Sequence, residues 1–169
     1  MGWIRCRAYE CGAGGTWTIR FCIMHGDTVS GPIRWRMHLP VSPQRVYDAL
    51  NSDEGRASFW AETAIERDGH IEFRFSGGYS CRSPILERVP GRLFAIDYIG
   101  GPVTFELSPD GRAGTELFLV HRNIGSDEWN EVHAGWLNVL FPLKAWLVYG
   151  VDLRNHDPSR SWGHGYADQ

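Results

Sequence analysis

The sequence predicts a single α+β domain in which a curved antiparallel sheet of about seven strands wraps around a long C-terminal helix. Turn signals recur between residues 68 and 114, and each connection there is too short for a crossover helix, so neighbouring strands must be antiparallel. Between residues 127 and 149, apolar side chains repeat at three- and four-residue spacing, which is typical of a helix. Two short helices are predicted between the first strand and the other strands.

The first 31 residues show no clean periodicity, and we expect them to form an irregular N-terminal extension. Cys6, Cys11, Cys22 and His25 lie in this segment, but they lack the close Cys-x2-Cys pair of ordinary zinc sites. We therefore predict no metal site. Our hypothesis is that Met24 is the natural start of the protein and that the preceding residues are translated upstream sequence.

The regular part of the chain begins at Pro32. Trp35 and its apolar neighbours two residues apart alternate with charged side chains, which predicts a half-buried strand. Ser42 and Pro43 are suited to cap and begin a helix. A second short helix is expected to begin at Ser52 or Asp53 and to continue through Trp60.

The middle of the chain predicts a series of hairpins. Asp68-Gly69 is a strong two-residue hairpin signal, and glycine- or proline-containing turns separate the later strands. Alternation within these strands places one set of apolar side chains on a common face. That inward set contains Ile71, Phe73, Phe75, Phe94, Ile96, Tyr98, Val103, Phe105, Leu107, Leu117 and Leu119.

The final helix is predicted to run from Asp127 to Tyr149, with Ser126 as its N-cap and Gly150 ending it. Pro142 lies inside this helix and removes the backbone donor for the Asn138 carbonyl. We therefore expect a kink near Asn138, or a break that widens the mouth of any cavity beneath. The domain would then occupy residues 32–150, and residues 151–169 would form a tail packed on it.

Composition limits the classes of function. The formal net charge of −3 gives no general attraction to nucleic acid or to an anionic membrane. The chain has no apolar run of eighteen residues and no secretory signal pattern, so a cytoplasmic protein is expected. Motifs of serine hydrolases, P-loop NTPases and zinc proteases are missing from the sequence, and we predict no cofactor.

Several segments of the chain resemble a known family. They are PIRWRMHLPVSPQRVYDAL, GRASFWAE, ILERVPGRLFAIDYIGGPVTFEL, EVHAGWLNVLFPLKAWL and GVDLRNHDPSRSW. From about Pro32 to Gln169 the chain resembles the helix-grip fold of the START-like (SRPBCC) superfamily, and within it the family named after the activator of heat-shock protein 90 ATPase. The resemblance implies a hydrophobic pocket between sheet and C-terminal helix. It implies no particular substrate, because the family hosts binders, cyclases and co-chaperones.

Three functions stay open at this stage. The first is binding of a small hydrophobic molecule, and the second is a cyclase-like or dehydratase-like enzyme using His133, His121 or Tyr98 as acid–base groups. The third is a chaperone partner, which only the family name implies. The same apolar side chains could instead simply fill a core. The predicted ligand-binding residues are Trp35, Trp60, Phe73, Phe75, Ile96, Tyr98, Phe105, Leu119, His133, Trp136 and Leu140.

Overall fold

The computed structural model of the protein describes residues 31–168. The expectations for the N-terminal cysteines, His25 and Met24 therefore fall outside the described residues. The elements in chain order are β1 (Ile33–Leu39), α1 (Pro43–Asn51), α2 (Asp53–Ala57), β2 (Thr63–Arg67), β3 (His70–Arg74), β4 (Ser80–Val89), β5 (Leu93–Tyr98), β6 (Gly101–Pro109), β7 (Thr115–His121), α3 (Trp129–Gly135), α4 (Leu137–Tyr149) and a 3₁₀ turn (Trp162–His164).

The sheet confirms the predicted α+β architecture. Its seven strands are ordered β1-β7-β6-β5-β4-β3-β2, and all neighbouring pairs are antiparallel. Helices α1 and α2 carry the chain from β1 at one edge to β2 at the other, and the remaining strands follow as a meander. Asp68 and Gly69 both have positive φ, 49° and 73°, as a tight two-residue hairpin turn requires.

A buried arginine attaches α2 to the sheet. Arg56 is fully buried, and its guanidinium donates hydrogen bonds to the carbonyl oxygens of Leu50 and Ala64 and to the carboxylate of Asp53. Gly55 is required beside it, because a Cβ there would lie 2.5 Å from the carbonyl oxygen of Ala49. Arg56 is therefore a structural residue, since it satisfies backbone acceptors that burial would otherwise leave unpaired.

The C-terminal helix consists of two consecutive pieces, α3 and α4, divided at Trp136. The predicted start at Asp127 with a Ser126 cap is wrong: α3 begins at Trp129, and its N-cap Glu128 makes no side-chain capping bond. Residues 125–128 form a turn instead, closed by the amide of Glu128 donating to the carbonyl of Gly125. Gly150 ends α4 in the left-handed region, with φ 67°.

Pro142 neither ends nor interrupts α4, and it is buried against the core. The division of the helix lies at Trp136, two residues before the expected kink at Asn138. Gly135 immediately precedes the division, and glycine is a weak helix former because it loses more backbone freedom than other residues. Among residues 31–168, none of the helices has both the length and the hydropathy that a membrane crossing requires.

The core lies between the inner face of the sheet and helices α1, α2 and α4. Trp60 is at its centre, and its indole contacts the rings of Phe73, Tyr98, Phe105 and Trp136 at centroid distances of 5.1 to 5.8 Å. Such edge-to-face contacts are the favoured geometry of aromatic pairs. The aromatic residues of the chain are thus concentrated where the helix meets the sheet.

The C-terminal tail returns to the body of the domain. The Arg154 guanidinium donates to the carbonyl oxygens of Ala57 and Ala61, at 2.7 and 2.8 Å, and pairs with the carboxylate of Asp152. The tail then reaches α3, where the indole Nε1 of Trp162 donates to Glu131 at 3.2 Å. These contacts place the 3₁₀ turn of the tail beside the C-terminal helix.

Candidate functional site

A cavity of about 550 Å³ lies between one end of the sheet, the helix pieces α3 and α4, and the tail. This volume is in the range of small-molecule sites, about 300–1,000 Å³. The residues that line it are Phe75, Gly77, Tyr79, Tyr98, Ile99, Glu128, Glu131, Val132, Gly135, Trp136, Asn138, Val139, Ser161, Trp162 and Gly163. Most of this surface is apolar, with polar groups concentrated on α3, α4 and the tail.

Aromatic rings form the wall of the cavity on the sheet side. Phe75 follows β3, and its ring lies 5.8 Å from the ring of Tyr79. Tyr98 ends β5, and its ring lies 5.6 Å from the indole of Trp136 at the division of the helix. The structure thus brings three of the predicted ligand-binding residues together around one cavity, namely Phe75, Tyr98 and Trp136.

Most of the other predicted residues lie in the adjoining core and not on the cavity surface. They are at most 3% exposed and are enclosed by other side chains. This core group consists of Trp60, Phe73, Ile96, Phe105, Leu119 and Leu140. Alternation indicates the inner face for the four of them that lie on strands, Phe73, Ile96, Phe105 and Leu119, and other side chains enclose all six.

His133 and Trp35 lie outside the cavity lining. The imidazole of His133 is stacked between two indoles, with centroids 4.6 Å from Trp35 and 4.6 Å from Trp129. Trp129 also donates its Nε1 proton to the carbonyl of Gly31 at 2.8 Å. These two aromatic contacts hold His133 between β1 and the start of α3, and it is not part of the cavity lining.

His121 is fully buried behind Trp136. Its Nδ1 accepts a hydrogen bond from the indole Nε1 of Trp136 at 3.0 Å, so the imidazole proton must be on Nε2. Burial lowers the pKa of His121 to about 4, although the nearby carbonyls of Tyr98 and Gly101 favour the charged form. Within the described residues Nε2 has no partner in hydrogen-bonding geometry. The ring is therefore neutral at pH 7 and holds Trp136 in place.

Tyr98 is the most deeply placed polar residue on the cavity surface. Its hydroxyl oxygen accepts a hydrogen bond from Nε1 of Trp60 at 3.2 Å. Burial raises the pKa of Tyr98 above its ordinary value, so the hydroxyl keeps its proton at neutral pH. The Tyr98 hydroxyl therefore still has one proton to donate, but it cannot act as a base.

The mouth of the cavity is acidic. Glu128 and Glu131 line it from the start of α3, and the Glu131 carboxylate accepts from Trp162 of the tail. Sequence reasoning missed these residues together with Gly77, Tyr79, Ile99, Val132, Gly135, Asn138, Val139, Ser161, Trp162 and Gly163. Val132 stood on the predicted apolar stripe of the helix, but nothing in the sequence indicates that the tail reaches the mouth.

A second concavity, of about 650 Å³, lies on the opposite face of the sheet. Long charged side chains frame it, including Arg36, Glu106 and Glu116, and the Arg36 guanidinium lies 5.9 Å from the centre of the Phe118 ring. Although it is larger, this groove is open to solvent and offers less apolar surface. An apolar ligand would gain less binding free energy in this groove, because water already solvates the charged side chains that frame the groove.

Nothing in the described chain is arranged for metal or thiol chemistry. Across residues 31–168 no group of three or more His, Cys, Asp or Glu side chains could hold a metal ion. Burial raises the pKa of the Cys81 thiol, which disfavours the reactive thiolate.

Comparison with known proteins agrees with the fold. The family model described as "Activator of Hsp90 ATPase homolog 1-like protein" matches residues 40–147, which is more than half of the chain. No curated protein matches the chain. The fold is similar to that of protein SSP2350 from Staphylococcus saprophyticus, with a TM-score of 0.64 and 23% identity over 73% of this chain and 96% of that one.

Two further solved structures are similar. The Aha1 dimer from Colwellia psychrerythraea has a TM-score of 0.64 and 22% identity, covering 70% of this chain and 97% of that chain. CalU16 from Micromonospora echinospora has a TM-score of 0.57 and 25% identity, covering 69% of this chain and 74% of that chain. On the strength of the family match and the shared fold, the chain belongs to the Activator of Hsp90 ATPase homolog 1-like family.

Proposed function

We propose that this protein binds a small, mainly apolar molecule in the cavity between the sheet and the C-terminal helix. The observation that carries the proposal is the cavity of about 550 Å³, bounded by Phe75, Tyr98 and Trp136. A ligand of complementary shape would gain dispersion contacts with these side chains and would remove their apolar surface from water. The Tyr98 hydroxyl, with Asn138 and Ser161 near the mouth, would orient the ligand.

The positions of the candidate acid–base groups favour binding over catalysis. His121 is neutral at pH 7 and is separated from the cavity by the Trp136 indole, to which it is bonded. His133 is stacked between Trp35 and Trp129, outside the lining. Among the described residues that line the cavity there is no histidine, which is the side chain best suited to acid–base chemistry near neutral pH.

Gly135 provides a direct test. It lines the cavity, and a Cβ built on it would meet no atom within 4 Å, so a larger side chain can enter without a backbone clash. Gly135→Phe should fill the cavity, whereas the matched control Gly135→Ala should leave it open. The measurement is the affinity of an apolar fluorescent probe, combined with native mass spectrometry and organic extraction of the purified protein.

We expect the wild type and Gly135→Ala to bind the probe, and Gly135→Phe to bind it at least about tenfold more weakly. Circular dichroism and a thermal melt would show that all three proteins are folded. Equal binding by all three would place the probe elsewhere on the protein. Failure of the folded wild type to bind any apolar probe would overturn the proposal.

A protein partner is the second candidate, and exposed apolar side chains favour it. Phe141 and Tyr149 of α4 are 54% and 72% exposed, and Val151 and Leu153 at the start of the tail are each 47% exposed. Exposed apolar surface is typical of protein interfaces. This candidate function predicts that the wild type stimulates an Hsp90-type ATPase and that Phe141→Ser combined with Tyr149→Ser abolishes the stimulation while leaving the binding of the apolar probe unchanged.

A further inference from the structure

We infer that the cavity selects apolar ligands with a cationic end, and that it discriminates against apolar carboxylates. This inference rests on the proposed function and specifies its ligand class: a hydrophobic amine or quaternary ammonium compound. Its apolar body would lie against Trp136 and Tyr98, and its cationic end would lie at the mouth.

The mouth of the cavity carries negative charge at a fixed position. Glu128 and Glu131 are one helical turn apart at the start of α3, and both line the cavity. The Nε1 proton of Trp162 holds the Glu131 carboxylate at 3.2 Å, so this charge has a defined position. A cation placed there would be attracted without a large loss of side-chain entropy, because one carboxylate is already oriented.

Aromatic rings line the same cavity. Phe75, Tyr79 and Trp162 line the cavity together with the two carboxylates. The face of an aromatic ring attracts a cation within about 6 Å, and sites for quaternary ammonium groups combine several such rings. The rings and the carboxylates therefore both favour a positively charged ligand.

The described lining has no cationic side chain that would neutralise the two carboxylates. None of the described lining residues is Lys, Arg or His. The nearest tail histidine in sequence, His164, interacts through Nδ1 with the hydroxyl of Ser161 at 3.0 Å and does not itself line the cavity. A ligand carboxylate at the mouth would thus face two carboxylates of like charge, which disfavours its binding.

Three probes with the same apolar chain separate charge from hydrophobicity: decyltrimethylammonium, decanol and decanoate. Their affinities would be measured by calorimetry at pH 7 and low salt, at concentrations below micelle formation. We expect the cation to bind about tenfold or more tightly than decanoate, with decanol between them. The difference in affinity between the cation and decanoate should decrease as salt is added, because salt screens charges at a mouth that is open to solvent.

The variant Glu128→Gln with Glu131→Gln removes both charges while keeping amide oxygens that can accept from Trp162. In this variant the ratio of the affinities for decyltrimethylammonium and decanoate should fall below about threefold, while the affinity for decanol stays unchanged. The matched control is Glu116→Gln with Glu106→Gln, which removes two charges from the outer groove. This control variant should keep the full preference for decyltrimethylammonium over decanoate.

The outcomes separate this inference from the proposed function. If decanoate binds as tightly as the cation, the inference is overturned while the cavity remains a binding site. A preference for the cation that survives in Glu128→Gln with Glu131→Gln also overturns it, because the mouth would not then be the cause. If none of the three probes binds the folded wild type, the proposed function itself fails.

Discussion

His121 should make the stability of the protein depend on pH in a defined window. The imidazole is fully buried, and burial lowers its pKa from 6.5 to about 4, against the weaker opposing effect of nearby carbonyls and of Asp97. Between these two values the unfolded chain binds a proton that the folded protein does not bind. Stability is therefore complete above about pH 6.5 and decreases as the pH falls toward about 4.

The size of this effect follows from the gap between the two pKa values. Linkage gives a loss of about 2 kcal/mol in the free energy of unfolding between pH 7 and pH 5 from His121 alone. Asp152 contributes to the stability of the protein in a separate pH range. Burial would raise its pKa, but hydrogen bonds from Arg154 and His156 lower it from 3.8 to about 2, so its contribution is lost only below about pH 4.

The assay is urea unfolding at several pH values between 7.5 and 4.8, for the wild type and for His121→Gln. Glutamine does not titrate, and its side-chain oxygen can still accept the hydrogen bond from Trp136. The remaining histidines are common to both proteins, so their contributions cancel in the comparison. As the pH is lowered over this range, we expect the free energy of unfolding to decrease by about 2 kcal/mol more in the wild type than in the variant. Parallel curves for the two proteins would refute the assignment of a neutral, buried His121.

Three further changes test the tail and the cavity. Arg154→Met removes the bonds to two backbone carbonyls and leaves Asp152 without its guanidinium, so unfolding in urea should show a loss of about 1.5–3 kcal/mol. Trp162→Phe keeps the ring but removes the donor to Glu131, and stopped-flow measurements should show several-fold faster dissociation of the bound probe. Gly135→Ala should raise the free energy of unfolding by about 0.5–1 kcal/mol, because alanine is the better helix former and its Cβ meets no neighbour.

The sheet could be predicted from local signals because each signal has a physical cause that acts over a few residues. The Asp68-Gly69 turn requires positive φ at both residues, which the structure shows, and the alternation around Phe73 and Phe105 follows from the pleat. The helix boundaries depend on tertiary contacts instead. The division at Trp136 coincides with the bond to His121 on a distant strand, which no local pattern contains.

The cavity surface could be predicted only in part, for a related reason. Alternation shows that Phe73, Phe75 and Tyr98 face inward, but not how far α3 and α4 extend over each strand. Phe73 is consequently core, while Phe75 and Tyr98 line the cavity. The tail was expected to pack on the domain, but the place of Trp162 at the mouth depends on a contact with Glu131 across 31 positions of sequence.

The central claim, that the cavity is a binding site, is tested most directly by the indole N–H signals of tryptophan in an NMR titration with decyltrimethylammonium. Trp136 and Trp162 line the cavity, whereas Trp129 lies outside it and bonds to Gly31. We expect saturable shifts of the Trp136 and Trp162 signals, little change at Trp129, and loss of these shifts in Gly135→Phe. Saturable shifts confined to Trp129 or to the backbone amides around Phe118 of the outer groove would contradict it.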